Sequence, residues 1–484
     1  MTDFVLAIDI GTSSVRVAAV GADGRIAQQL RRKFPPDSPA PGLVEFDALE
    51  LALTIEALAN ECISVAGGVR AVAITNQRAS TVAWDAATSR ALSPAIGWQD
   101  LRTVFDCIMA KAEHGIGLAP NQSATKMKWL LNNIDPGIDR STVRLGTLDT
   151  WITWWLTNGA SHVTDHSNAA VTGLLSIATL DWDASVLETL AIDRAHLPSV
   201  TTTVGHHGIA SRLIGAPPIV ALIGDQQGSL IGQGCIKPGD TKITFGTGGM
   251  LDTITGTTAP RSSARSGAGT FPIIARTSAH ETLWGAEAVM LSAGTNIEWL
   301  VEDMALLTDA THSESIAASV NSSDGVVYIP ALLGLGTPKW DYGARGTLLG
   351  LTRGTTRAHI VRAVLEGVAY RGADLVEAAR NATSLAIDTI RIDGGMSRNT
   401  IFTKALADAT QAKIEIAADP ESTTLGAAFL GGAASGLWPD LETAVSTRAQ
   451  PLVIEPGPAT DRDAWRKSVE RAAGWIPDLS ALDF

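Results

Sequence analysis

FVLAIDIGTSSVRVAAVGADG, residues 4–24, contains two apolar runs joined by a short stretch of small residues. Its first apolar run reaches Asp9, turns on the small residues GTSS and resumes as a second apolar run up to a glycine-bounded turn. Apolar runs bounded by Gly and Ser predict strands, and a short turn between two of them predicts a β-hairpin. The more polar GRIAQQLRRKF predicts a third strand, so we expect an antiparallel meander at the start of the chain.

Helix and strand patterns alternate through the rest of the first half. Apolar spacing predicts helices over residues 47–66 and in ATKMKWLLNNI, and buried strands in VRAVAIT, TVAWD and PPIVALIGD. The Gly- and Ser-rich QQGSLIGQG that follows Asp225 predicts the start of a tightly packed helix. The breakers Pro238 and Gly239 in CIKPGD then predict a linker.

The second half repeats the opening theme. TKITFGTGGMLDTIT predicts a strand, a turn on glycines and Thr247, and another strand, and further helix and strand patterns follow. We therefore divide the chain into residues 1–234 and 235–484, with a helical tail at the end of the second part. Two halves that open in the same way predict an α/β fold of duplicated architecture with a cleft between the halves.

The composition limits the kinds of function. A net charge of −13, without long runs of one sign, argues against a nucleic-acid backbone or an anionic membrane as the main partner. Cys62, Cys107 and Cys235 are far apart, which predicts neither a disulfide framework nor a zinc site and favours a reducing cytoplasm. The N-terminus lacks a basic flank and no apolar run reaches about 18 residues, so we expect neither secretion nor a membrane span.

The two turns GTSS and GTGG are candidate phosphate cradles. Gly, Thr and Ser leave backbone N–H groups and hydroxyls available for phosphate oxygens, because glycine lets the backbone approach closely. Either turn alone is more readily explained as an ordinary glycine hairpin, whereas the pair together favours phosphate binding. The chain contains no Walker A loop and no GxGxxG fingerprint after the first strand, which excludes P-loop and Rossmann interpretations.

Two carboxylates end buried strands close to these turns. Asp9 is costly in an apolar run unless it is paired or faces a metal such as Mg²⁺, although it could also cap the turn beyond it. Asp225 has the same placement after PPIVALIG. One metal-side carboxylate, one general base and two phosphate turns form the set of groups that phosphoryl transfer requires. Arg16 could place a positive charge near the phosphate, or be a solvated surface charge.

In order along nearly the whole chain, these motifs resemble the FGGY family of carbohydrate kinases, and within it most closely the branch that phosphorylates glycerol. The resemblance is carried by DIGTSSVR, AITNQRAS, AIGWQDLRT, ATKMKWLLNN, VTDHSNA, GDQQGSLIGQG, FGTGGM, GTLLGLTRGTTRAHIVRAVLEGVAY and IDGGMSRN. It implies two actin-like, ribonuclease-H-like domains that close over ATP, Mg²⁺ and a small polyol or sugar. It also implies a homo-oligomer.

The resemblance further implies roles for individual residues. Asp9 falls at the metal-associated position and Asp225 at the catalytic base. The positions implied for the nucleotide are Thr12, Ser13, Arg16, Gly246, Thr247, Gly294, Gly394, Gly395 and Asn399. The positions implied for the acceptor are Arg78, Ala79, Trp98, Asn121, Asp225, Gln226 and Met250.

Three acceptor positions depart from the glycerol-phosphorylating pattern. Ala79 replaces a glutamate that grips a glycerol hydroxyl, Asn121 replaces a tyrosine, and Met250 replaces an aromatic residue. Each buried hydrogen-bond partner that is lost weakens glycerol binding by about 1–3 kcal/mol, so we expect a wider pocket for a longer polyol or a ketose. Glycerol itself stays an alternative if other side chains compensate.

Two other kinds of protein remain open alternatives. An actin- or chaperone-like ATPase could use the same nucleotide turns, but it would not need GDQQ, NQR and GWQD. A binding-only sensor would not need both Asp9 and Asp225. His206 and His207 are expected in a surface loop, and the spacing of Trp151, Trp154 and Trp155 predicts core packing on one helical face.

Overall fold

The computed structural model describes residues 3–482. The strands before residue 235 are β1 (Phe4–Ile10), β2 (Ser14–Gly21), β3 (Ile26–Lys33), β4 (Glu45–Phe46), β5 (Val72–Asn76), β6 (Thr81–Asp85), β7 (Arg90–Ala91), β8 (Ala95–Ile96), β9 (Val143–Thr147), β10 (Val163–Asp165), β11 (Leu175–Ser176), β12 (Asp181–Trp182), β13 (Ser199–Thr201), β14 (Val204–Ile209) and β15 (Pro218–Gly224). The helices of this part are α1 (Ala48–Ala66), α2 (Val104–His114), α3 (Ala124–Asn132), α4 (Leu148–Leu156), α5 (His166–Ala170), α6 (Ala184–Leu190) and α7 (Asp225–Gly232).

The second part of the chain has the same mixed character. Its strands are β16 (Thr241–Phe245), β17 (Gly249–Gly256), β18 (Phe271–Thr277), β19 (Thr282–Met290), β20 (Val327–Ile329), β21 (Thr347–Leu349), β22 (Thr389–Asp393), β23 (Lys413–Ile416) and β24 (Leu452–Ile454). Its helices are α8 (Thr295–Glu302), α9 (His312–Ala318), α10 (Arg357–Thr383), α11 (Thr400–Thr410), α12 (Ser422–Ala434), α13 (Leu441–Ser446), α14 (Arg462–Ala472) and α15 (Pro477–Ser480).

The first large sheet has the strand order β14-β15-β5-β1-β2-β3. The expected meander β1-β2-β3 is confirmed, and β1 also runs parallel to β5, which runs parallel to β15. Parallel strands end at one edge of a sheet, where ligands of α/β proteins commonly bind. The ends of β1, β5 and β15 therefore meet at one edge, where Asp9 lies near the end of β1 and Arg78 and Asp225 follow β5 and β15.

The second large sheet has the order β18-β19-β17-β16-β22-β23-β24. It repeats the pattern of the first, because β16 forms a hairpin with β17 and runs parallel to β22. The repeated theme expected from the sequence is thus confirmed at the level of strand pairing. The turn at residues 246–248 of the second sheet corresponds to the turn at residues 11–13 of the first.

A smaller sheet of β4, β8, β6, β7 and β9 extends the first part of the chain. Helix α3 packs near β6 with Met127, Leu130 and Leu131 buried, as the apolar spacing predicted. The tryptophans of α4 lie in the core, which confirms that interpretation. Among the described residues, no helix is both long and apolar enough to cross a membrane.

Helices α7 and α12 cross at a contact made of glycines. A Cβ added at Gly426 would lie 1.8 Å from the carbonyl oxygen of Gly228, and one added at Gly232 would lie 1.8 Å from that of Ser422. The tightly packed helix expected after Asp225 is therefore present. Helix α12 also packs under the first sheet, where Phe429 shares an apolar cluster with residues of β1 and β5. A helix from the second part of the chain thus covers the first sheet, and the division between residues 234 and 235 stays a prediction.

One expectation was wrong. His206 and His207 lie in strand β14 instead of a surface loop, and His207 is buried while His206 is exposed. Alternation along a strand sends neighbouring side chains to opposite faces of the sheet, which explains the difference between the two.

Candidate active site

Asp9 lies near the end of β1 and is buried. Its Oδ2 accepts hydrogen bonds from Arg16 Nη1 at 3.3 Å and from Thr424 Oγ1 at 2.8 Å. Burial raises the pKa of the Asp9 carboxyl, while Arg16 and Thr424 partly offset that rise. The Arg16 Nε also lies 3.1 Å from Glu421, so this arginine faces the carboxylates at the sheet edge and is not a solvated surface charge.

The GTSS turn contacts Trp98, one of the positions implied for the acceptor. Thr12 Oγ1 accepts a hydrogen bond of 3.2 Å from Trp98 Nε1, and the Ser13 side chain beside it is exposed. The position of Trp98 is set by buried Lys126, which donates to its carbonyl oxygen at 2.8 Å. Burial lowers the pKa of Lys126 to about 7. The structure therefore brings the GTSS turn and Trp98 together, as a site for two substrates requires.

Asp225 is the first residue of α7, directly after β15. Its side chain is 28% exposed, and Oδ1 accepts a hydrogen bond of 2.8 Å from the backbone N–H of Gln226. The Nε of Arg78 lies 3.6 Å from the same Oδ1, which is too long for a hydrogen bond. Desolvation in the cleft raises the pKa of Asp225, and the charge of Arg78 opposes this rise. A carboxylate with a raised pKa is the better general base.

The second sheet contributes three charged residues that the sequence reasoning missed. Lys242, Asp252 and Glu287 are direct cross-strand neighbours on β16, β17 and β19, so they project from one face. Lys242 Nζ lies 2.8 Å from Asp252 Oδ2 and donates to Gln226 Oε1 at 2.5 Å. The signal available in the sequence was the same as for Asp9: a charged residue inside an apolar strand.

The three acceptor positions that differ from the glycerol-phosphorylating pattern lie in different parts of the fold. Ala79 is buried and has a φ of 64°, a left-handed conformation that is uncommon for a residue with a Cβ. Its carbonyl oxygen accepts from Ser123 Oγ at 3.0 Å, which brings the segment that contains exposed Asn121 towards it. Met250 lies two residues from Asp252 on β17, and therefore on the same face as the charged residues.

The candidate nucleotide positions surround the GTGG turn. The carbonyl oxygens of Gly246 and Thr247 accept from the backbone N–H groups of Gly294 and Ala293 at 2.8 Å, so the turn is held from behind. Gly394 has a φ of 91°, and a Cβ there would lie 2.2 Å from the carbonyl oxygen of Phe245. This backbone therefore requires glycine at position 394.

The space in front of this turn is open. A Cβ at Gly246 or Gly395 would meet nothing within 4 Å, so space for phosphate or sugar atoms lies in front of both. Asn399 caps the N-terminus of helix α11 by accepting from the Phe402 N–H, and it donates to Ser313 Oγ at 3.2 Å, so it also has a structural role.

A metal ion at this site would depend on Asp9 and phosphate. Within residues 3–482 no group of three or more His, Cys, Asp or Glu side chains is arranged to hold a metal ion. Mg²⁺ is commonly held by one or two carboxylates together with substrate phosphates and water, and one buried carboxylate beside a phosphate turn fits that chemistry.

Comparisons with known proteins agree with this arrangement. Residues 4–232 match the N-terminal domain model, and residues 241–435 the C-terminal domain model, of the FGGY family of carbohydrate kinases. The chain is 37% identical to a glycerol kinase of Photorhabdus laumondii, with 98% of each chain covered. It is 36% identical to glycerol kinase 2 of Thermotoga maritima, with 98% of this chain and 99% of the relative covered.

Solved structures show the same architecture. The structure of Plasmodium falciparum glycerol kinase with ADP superimposes with a TM-score of 0.90 at 29% identity, covering 97% of this chain and 98% of that one. A xylulose kinase of Lactobacillus acidophilus, at 21% identity and a TM-score of 0.85, shares the fold over 99% of this chain and 98% of its own. The expected α/β fold of two actin-like domains is confirmed. The chain therefore belongs to the FGGY family of carbohydrate kinases.

Proposed function

We propose that this carbohydrate kinase transfers the γ-phosphoryl group of ATP to a hydroxyl of a small polyol or ketose, with Asp225 as the general base. The observation that carries the proposal is the shared sheet edge: Asp9 with its GTSS turn lies at the end of β1, Asp225 follows β15, and these two strands flank β5. Phosphoryl transfer depends on positioning and charge stabilisation at such a site, with a base directed at the attacking hydroxyl.

Asp225 has the environment that a base needs. Its side chain is partly open to the cleft, its pKa is raised by desolvation, and the Gln226 N–H fixes one carboxylate oxygen. The other oxygen can accept the proton of an acceptor hydroxyl. Arg78 and Gln226 lie beside it as donors that orient the acceptor.

ATP and Mg²⁺ are the cosubstrate and metal of this proposal. The turns at residues 11–13 and 246–248 would hold phosphate oxygens, Asp9 would face the metal, and the segment at residues 394–399 would contact the nucleoside. Bound Mg-ATP supplies the phosphoryl group, and its metal neutralises charge that develops in the transition state. Arg16 adds a fixed positive charge on the phosphate side.

The acceptor is proposed to be longer than glycerol. Ala79 and Asn121 leave out a carboxylate and an aromatic ring that would hold a three-carbon substrate, and Met250 removes a second ring. The glycerol kinases at 36–37% identity support glycerol as the alternative. A screen of ADP release over glycerol, tetritols, pentitols, ketopentoses and ketohexoses separates the two. Release that does not depend on any acceptor would indicate an ATPase instead.

Replacement of the base tests the mechanism. Asp225→Asn is expected to lower kcat by about 1,000-fold while ATP still binds, because the amide cannot accept the proton. Asp106→Asn, at a partly exposed helix residue that pairs with Lys128, is the matched control and should keep wild-type turnover. Near-wild-type turnover of Asp225→Asn would refute the assignment of the base.

The proposal also covers the cellular location, the oligomeric state and the roles of the two domains. All three cysteines are buried and free, which supports a reducing cytoplasm. We infer a homo-oligomer from the family resemblance alone, and light scattering of the full chain tests it. We also propose that residues 1–234 form the domain that binds the acceptor and that residues 235–484 form the domain that binds the nucleotide.

A further inference from the structure

The three nitrogens of the Arg78 guanidinium have different surroundings. Nη2 donates to Glu287 Oε2 at 2.7 Å, whereas Nε stays 3.6 Å from Asp225 Oδ1. Nη1 is buried and has no hydrogen-bond partner among residues 3–482. A buried donor without a partner is costly unless a ligand supplies the acceptor atom. Nη1 is therefore available for an oxygen of the acceptor substrate.

Glu287 comes from the other side of the cleft. It lies on β19 of the second sheet, 209 positions along the chain from Arg78, and only 11% of its side chain is exposed. Its cross-strand neighbour Asp252 is fully buried and is paired with Lys242 at 2.8 Å. Because Asp252 is paired with Lys242, Glu287 is the cross-strand carboxylate that accepts a hydrogen bond from Arg78.

Arg78 has two carboxylates in reach, and only one of them, Glu287, receives a short hydrogen bond from it. Guanidinium and carboxylate favour a two-pronged contact that is short and strong, and such a contact stabilises the ionised carboxylate. A two-pronged pair between Arg78 and Asp225 would make Asp225 a weaker base. Such a pair would take Nη2 from Glu287, and in the arrangement through both Nη nitrogens it would also occupy Nη1. The observed geometry avoids these effects, because the short bond goes to Glu287.

We propose that Glu287 is a positioning residue of the reaction: it holds the Arg78 guanidinium against the second sheet, and so keeps Nη1 open to the acceptor and keeps Asp225 from being paired. The inference rests on the proposed role of Asp225 as the base. It also makes the acceptor site depend on both domains, because the residue that sets the direction of Arg78 comes from the second sheet.

The other charged groups around Asp225 do not replace Glu287. Asp225 is influenced by Arg78, Lys242 and Asp9. Lys242 is held by Asp252 and Gln226, and Asp9 is held by Arg16 and Thr424. Arg78 is thus the cation whose direction decides how strongly Asp225 is paired, and Glu287 sets that direction.

The test is the variant Glu287→Gln in the full chain, assayed with Mg-ATP and the best acceptor of the screen. The amide keeps the size of the side chain but loses the charge that competes for Arg78. We expect kcat/KM for the acceptor to fall by about 100-fold with KM for ATP within about twofold of wild type. The acidic limb of the profile of kcat/KM against pH should move to lower pH by about one unit, because Arg78 then favours ionised Asp225.

Two further variants control this measurement. Glu287→Asp retains the charge and should restore the acidic limb to its wild-type position. Glu281→Gln, in the same hairpin, removes the charge of a partly exposed glutamate paired with Arg276 at 2.9 Å and should match wild type throughout. Unfolding of Glu287→Gln in acid would move the acidic limb to higher pH, which is opposite to the expected shift, so a loss of folded protein cannot imitate it.

The outcomes separate this inference from the proposed function. An unshifted acidic limb in Glu287→Gln, with or without loss of kcat, overturns the positioning role. An active Asp225→Asn in the same assay overturns the proposed function itself. An inactive Asp225→Asn together with a shifted limb in Glu287→Gln, restored in Glu287→Asp, supports both.

Discussion

The crossing of α7 and α12 makes Gly426→Ala a sharp test of the fold. A Cβ at residue 426 would lie 1.8 Å from the carbonyl oxygen of Gly228 and 2.7 Å from the amide nitrogen of Gly232. Ordinary van der Waals contact begins near 3.4 Å, so the two helices would have to separate by about 1.6 Å. The obstructing atoms belong to the backbone, which cannot turn aside as a flexible side chain can.

The expected cost follows from that separation. A gap of about 0.5–1 Å already forfeits a quarter to a half of the dispersion attraction between packed atoms. We expect Gly426→Ala to lower the free energy of unfolding by about 3 kcal/mol, the upper part of the range for overpacking. For a domain of this size, that corresponds to a fall in Tm of about 6–12 °C. An unobstructed Gly→Ala change in a helix would instead stabilise the protein by about 1 kcal/mol.

The same change should reduce activity, because each helix carries a group of the site. Helix α7 begins with Asp225, and α12 contains Thr424, which donates to Asp9. Displacing them should lower kcat by about 100-fold in the enzyme that stays folded. The assay is calorimetry combined with ADP release. The control is Gly117→Ala, where an added Cβ meets nothing within 4 Å and Tm should not fall. Wild-type Tm and kcat for Gly426→Ala would refute the reasoning.

Three further predictions concern the pH dependence of stability, the nucleotide and the acceptor. Burial, followed by the charge of Asp165, raises the pKa of Asp149 to about 6 from 3.8, so ionising it costs the folded state about 3 kcal/mol as pH rises through this window. Asp149→Asn should therefore gain Tm relative to wild type as pH rises from about 4 to about 7.5. Gly246→Ala should keep wild-type Tm but weaken ATP binding by at least about tenfold in calorimetry, because its Cβ would enter the space in front of the turn. Ala79→Glu combined with Asn121→Tyr should raise kcat/KM for glycerol, relative to longer polyols, by about tenfold or more.

Each of these has a result that would contradict it. A Tm difference between Asp149→Asn and wild type that is the same at both pH values would show that Asp149 is not the titrating group. Unchanged ATP affinity in Gly246→Ala would remove the turn from the phosphate site. A double variant with the wild-type order of acceptors would mean that positions 79 and 121 do not choose the substrate.

Much of the fold was predictable from the sequence, for a local reason. The hairpins around GTSS and GTGG, and helices α3 and α10, show their apolar period and their turn residues within a single stretch of chain. The strand-end positions of Asp9 and Asp225 could be predicted in the same way. His207 shows the limit, because its short polar segment carries no clear period although the strand formed there buries it.

The family, the two candidate phosphate turns and the candidate base could be identified from the sequence, because each depends on residues that are adjacent in the chain. Which charged groups contact each other could be seen only in the folded protein. A charged residue inside an apolar strand indicates that it has a partner, but not which one. Arg78 donates a hydrogen bond to Glu287, which lies 209 positions away in the sequence, and Thr424 donates one to Asp9, which lies 415 positions away. These pairs depend on how two sheets and two crossing helices pack, and no local pattern of residues records that packing.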